Sequence, residues 1–146
     1  MTPNKFLPLA LSIFFAFAPT SCNTDDDAND DVNAQCEGAI CTAIFVQINV
    51  TVTDQEQNPV ALDTFTVTNL ANGNDMTITL TASELANARE TGRYPLTQDG
   101  ILDLNEMRQI QFKGFINGQE VVSGNYTVST DCCHVALDAG DVELSL

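Results

Sequence analysis

Apolar and polar positions alternate along most of this chain with a period of two. Ile44, Val46, Ile48, Val50 and Val52 are interleaved with Phe45, Gln47, Asn49, Thr51 and Thr53. Successive side chains of a strand point to opposite faces, so ten such residues rich in β-branched types predict a half-buried strand. Asp54 to Pro59 interrupts it. Phe65 and Val67 then alternate with Thr64, Thr66 and Thr68. After Asn72-Gly73-Asn74, residues that tolerate positive φ, the alternation resumes at Met76, Ile78 and Leu80. Residues 63–80 therefore read as a hairpin.

The period changes next. Thr81 with Glu84 three residues on is a capping-box pattern, and Gly92 suits a left-handed C-terminal cap. Between them Ala82 to Glu90 predicts a short helix laid over one end of the sheets, followed by a brief strand at Arg93 to Leu96. Ile110 and Phe112 alternate with Gln109, Gln111 and Lys113. Asn117-Gly118 marks a tight turn before Val121 and Val122, and Tyr126 and Val128 continue beyond it. Cys133, Val135 and Leu137 share one parity, as do Val142, Leu144 and Leu146. Seven or eight short strands with turns every eight to twelve residues predict an all-β antiparallel sandwich.

The N-terminal segment follows a different rule. Lys5 precedes an apolar run, Phe6 to Ala18, too short for a helix crossing about 30 Å of hydrocarbon. A basic start, a run of this length and the small polar Thr20 and Ser21 ahead of Cys22 match a secretory signal. This resembles a bacterial lipoprotein signal, which implies removal of residues 1–21, acylation of Cys22 and membrane attachment through that lipid. Residues 22–35 then form a tether. Asp25, Asp26, Asp27, Asp30 and Asp31 leave it too little apolar surface to offset ordering entropy. Acids directly after the cysteine resemble the export tag of some outer-membrane lipoproteins, which implies display at the cell surface.

Charge narrows the partners. The whole chain carries −15, and without residues 1–21 it has 4 basic against 20 acidic residues, or −16. Residues 36–146 hold 4 basic against 15 acidic, or −11. Phosphate binding needs clustered Lys and Arg, so nucleic acid is excluded as a partner. About 110 residues from Cys36 to Leu146 make one domain by size.

Val50-Thr51-Val52-Thr53-Asp54 followed by Asn58-Pro59-Val60, with the later Gly124-Asn125-Tyr126-Thr127-Val128, resembles the opening and closing strands of carboxypeptidase regulatory-like domains. These are transthyretin-like, Ig-like sandwiches. The resemblance implies a non-catalytic binding or interaction module without a cofactor, its ligand an envelope protein or glycan.

Four cysteines remain in the folded part: Cys36, Cys41, Cys132 and Cys133. An exported chain enters an oxidising compartment, where an even count favours disulfides. Neighbours 132 and 133 would close a strained ring, so bridges between the two pairs are preferred. Strand parity favours Cys41–Cys132 and Cys36–Cys133, with Cys133 on the inward side of Val135 and Cys132 outward. The competing reading of Asp131-Cys132-Cys133-His134 is a zinc or copper(I) site completed by Cys36 or Cys41. Against it stand the adjacent cysteines, which a strand turns to opposite faces. A looser calcium site among Asp99, Asp103 and Glu106 is the other metal candidate; Pro95 and Thr97 rule out an EF-hand. His134 is the only histidine, and Ser129, Thr130 and Asp131 beside it do not make a triad, which needs distant segments.

Overall fold

A computed structural model describes residues 36–146. The signal-like run, Cys22 and the acidic tether to residue 35 lie outside the described residues. Among the described residues, seven strands and one helix follow in order: β1 (Gln47–Thr53), β2 (Thr64–Asn69), α1 (Ala82–Thr91), β3 (Arg93–Gln98), β4 (Met107–Ile116), β5 (Gln119–Thr130), β6 (Val135–Ala139) and β7 (Glu143–Ser145). They build the expected all-β sandwich, one sheet ordered β3-β1-β7 and the other β2-β4-β5-β6. Neighbours run antiparallel except β7, which lies parallel to β1.

The alternating apolar residues form the shared core. Val50 and Val52 of β1 and Tyr94 and Leu96 of β3 belong to one buried cluster with Phe65, Val67, Ile110, Phe112, Tyr126 and Val128 of the other sheet. Burying each such side chain contributes about 1.5–3 kcal/mol. Tyr94 joins the sheets most directly. Its ring centroid lies 5.6 Å from Phe65 and 6.4 Å from Phe112, and Phe65 stacks on Phe112 at 5.8 Å. Its hydroxyl, pushed above the ordinary phenol pKa by burial, accepts from Leu62 N at 2.7 Å and donates to Val60 O at 2.8 Å. Arg89 of α1 donates to Leu62 O and Asp63 O, both at 2.9 Å. Together they hold the segment that carries the chain from one sheet to the other.

The helix forms where its caps place it. Thr81 Oγ1 accepts from Glu84 N at 3.3 Å, and Glu84 answers by accepting from Thr81 N at 2.7 Å. Gly92 ends the helix with φ 70°. Its carbonyl accepts from Val52 N at 2.8 Å, bonding the helix terminus to β1. The tight turn at Asn117-Gly118 has φ of 51° and 73°, the double positive φ of a type I′ hairpin, and it joins β4 to β5.

Two elements differ from the pattern. The first strand starts at Gln47 rather than Ile44, because Val46 N donates to the Asp99 carboxylate and leaves the ladder. The hairpin over 63–80 has only one true arm. After the turn, pairing is limited to a Thr68–Asp75 bridge, made by bonds from Met76 N to Val67 O and from Asn69 N to Asn74 O. Thr77 Oγ1 then takes the Val67 N–H that a backbone carbonyl would take in a strand.

Replacing Gly92 with Ala tests the close helix–strand approach. An added Cβ would stand 2.6 Å from Val52 O. The expected loss exceeds the roughly 1 kcal/mol that left-handed strain alone imposes; a denaturant titration giving a smaller loss would contradict it.

Candidate functional site

The residues singled out by their chemistry gather at one pole of the sandwich. An N-terminal arm, residues 36–46, meets the β3–β4 loop and the 131–134 turn there. Asp131 builds that turn. Its Oδ1 accepts from Cys133 N at 2.6 Å and His134 N at 2.8 Å, which holds its carboxyl below the usual range. Cys132 and Cys133 thus sit in a side-chain-capped turn, outside any strand.

Two disulfides fasten the arm to this turn. Their pairing is Cys36–Cys132 and Cys41–Cys133, each with Cα atoms 5.3 Å apart. The bridges therefore join the two ends of the folded part, as expected, but with the opposite pairing to the one parity favours. The reason is local. Strand alternation does not extend back past Val135, so it has no hold on which cysteine faces which partner. The first bridge closes a separation of 96 residues, about 4–5 kcal/mol of unfolded-state entropy in the chain-entropy picture. The second then closes only a small ring of arm and turn, and contributes less.

Beside the bridges, Asp99 collects three donors from two segments, the arm and residues 134–135. Oδ2 accepts from Val46 N at 2.8 Å and lies 2.9 Å from His134 Nδ1, while Oδ1 accepts from Val135 N at 2.8 Å. The Val46 bond first, then the His134 bond, hold its carboxyl below the ordinary range. An ionised carboxylate has no proton to give, so Nδ1–H must donate to it. In the neutral ring Nε2 then accepts from Thr42 Oγ1, 3.0 Å away. The ring partners of His134 are thus Thr42 and Asp99, brought from distant segments, and not Ser129, Thr130 or Asp131. Carboxylate, imidazole and hydroxyl stand in the order of a nucleophile relay. Here the hydroxyl rides on the exposed arm next to Cys41, and the carboxylate is shared with two backbone amides, so the contacts tie the arm to the turn.

Neither metal candidate is assembled. Among the described residues no group of three or more His, Cys, Asp or Glu side chains is placed to hold a metal ion. Cys132 and Cys133 are taken up by disulfides, which leaves His134 without thiolate partners. Asp99 is committed as above. Glu106 pairs with Arg108 and accepts from Asp103 N at 3.2 Å, and Asp99, Asp103 and Glu106 form no such group among the described residues.

A second feature escaped the pattern. A cleft of about 330 Å³ runs between α1 and the outward side of β1 and β3. Gln47, Asn49, Asn87 and Arg93 are among the side chains that line it. Of the four basic residues described, Arg89 binds carbonyls, Arg108 pairs with Glu106 and Lys113 with Glu120. The Arg93 guanidinium has no partner among the described residues. The outward parity of Asn49 was readable in advance, but nothing local announced that a helix would wall it in.

No protein-family model, curated protein or solved structure matches this chain.

Two measurements test the pole. With Cys133 replaced by Ser, alkylation of the unreduced protein should label Cys41 and spare Cys36; label on Cys36 would mean the alternative pairing. The lowered Asp99 pKa gives stability that is present above the ordinary carboxylate pKa, about 3.9, and is lost as pH falls through the lowered value. Asp99→Asn should therefore flatten the acid limb of urea midpoints between pH 6 and pH 2, and an unchanged limb would remove that role.

Proposed function

We propose that this chain is an exported, lipid-anchored β-sandwich of the cell envelope, attached through Cys22 to the outer membrane and displayed at its surface. It works as a non-catalytic binding or interaction module. The observation that carries the export reading is the pair of disulfides at the pole. Such cross-links persist in oxidising compartments, where a chain led by the Lys5-to-Cys22 segment would be delivered. The resemblance to carboxypeptidase regulatory-like domains supports the same class, since those sandwiches serve as accessory modules.

The cleft beside α1 is the surface on which a ligand is bound. Amide side chains of Asn49 and Asn87, and Arg93 with no partner among the described residues, offer donors to an envelope glycan or protein segment. With a charge of −11 over residues 36–146, long-range repulsion disfavours strongly anionic ligands. A neutral ligand rich in hydroxyls or amides fits better, and Arg93 would donate to it directly.

Replacing Cys22 with Ser should release the protein from the membrane fraction, and unchanged membrane association would remove the anchor. Titrating neutral envelope polysaccharide fragments should shift the NMR amide signals of Asn49, Asn87 and Arg93. Arg93→Ala should weaken that binding about tenfold or more, the scale of a lost charged hydrogen bond. Shifts confined to other faces would move the site elsewhere.

A further inference from the structure

We infer that the disulfide pole of the sandwich rests on the lipid bilayer, with apolar side chains of the arm and the β3–β4 loop seated among zwitterionic headgroups. This rests on the anchored reading above, and adds to it an orientation and a second membrane contact.

Of the eight exposed large hydrophobic side chains among the described residues, six lie on the arm, the β3–β4 loop and the first residue of β4, where Leu70 shares a groove with Met107. Ile40 is 97% exposed, Ile44 66% and Phe45 62% on the arm; Ile101, Leu104 and Met107 accompany them on the β3–β4 loop and the first residue of β4. Such concentration at one place marks an interaction surface, whereas scattered exposed residues need no explanation. The arm is not free to turn these residues inward. Cys36 and Cys41 are bridged to the turn, Thr42 meets His134, and Val46 is held by Asp99.

Position along the chain says what covers the surface. The polypeptide enters the described fold at Cys36, within the pole, 14 residues after Cys22. Fully extended, that stretch reaches at most about 50 Å. A bilayer holding an acyl group on Cys22 is therefore the surface this end of the domain meets first, at high effective concentration. Charge selects the headgroup. Glu37, Asp103 and Asp131 lie on the same segments, and Asp99 and Glu106 are already paired with His134 and Arg108. Anionic lipid would repel this rim, and zwitterionic lipid would not.

The chain has no tryptophan, so a single one reports its surroundings. Phe45→Trp and, at the far end of β4–β5, Gln119→Trp are made in the full chain. The acylated mature protein is then reconstituted into phosphatidylcholine vesicles containing brominated lipid. Flotation with the vesicles reads the anchor, and quenching reads the pole. The expected result is flotation of both variants, with loss of emission only for Phe45→Trp. Adding phosphatidylglycerol should reduce that loss, and Ile44→Asp should reduce it further. Flotation with equal emission from the two variants would overturn the inference and leave the anchor standing. Failure to float would overturn both. Blue-shifted, unquenched emission that depends on protein density would overturn it in favour of a second copy covering the pole.

Discussion

The Asp99 carboxylate is the contact on which the polar end of this molecule depends. Hydrophobic alternation brings two sheets together but says little about how their ends are closed. Asp99 stands just past β3, in one sheet, and accepts from the amide that opens β6 in the other. It also takes Val46 N, which ends the arm, and His134, which reaches Thr42. One acceptor thus fixes the relation of arm, loop and turn. Charge-assisted bonds of this kind are stronger than neutral ones, and leaving their donors unsatisfied would cost more than the bonds contribute.

Around that contact the disulfides have a defined task. The core joins the two sheets through burial of Val50, Tyr94, Phe112 and their neighbours. What the bridges add is a fixed exit for the chain. The arm lies outside both sheets and carries exposed Ile40, Ile44 and Phe45; Val46, at its end, packs against the core. Before Val46 the two disulfides and the Thr42–His134 contact hold it, and at Val46 Asp99 does.

The strands were legible because each buries one face, and burial of one face imposes a period of two. Val50, Val52, Phe65, Val67, Ile110, Phe112, Tyr126 and Val128 could be placed from their spacing and all lie in the core. The helix was legible through Thr81, Glu84 and Gly92, whose capping chemistry is local. Less was readable where a side chain replaces a backbone partner. Thr77 occupies a ladder position in the 63–80 hairpin, and Asp99 takes the amide of Val46 before β1 begins. Neither substitution leaves a periodic trace.

The sequence by itself determined the class of fold, the acidic charge, and that the two cysteine pairs meet. Each follows from composition or from spacing over a few residues. The tertiary structure decided which cysteine joins which, that Asp99 and Thr42 flank the only histidine, and that Arg93 lies in a cleft beside a helix. Those relations span 35 to 96 residues of chain, or, for the cleft, depend on how a helix packs against a sheet. A turn capped by Asp131 set the direction of Cys132 and Cys133, and only the folded end of the sandwich could show where that turn points.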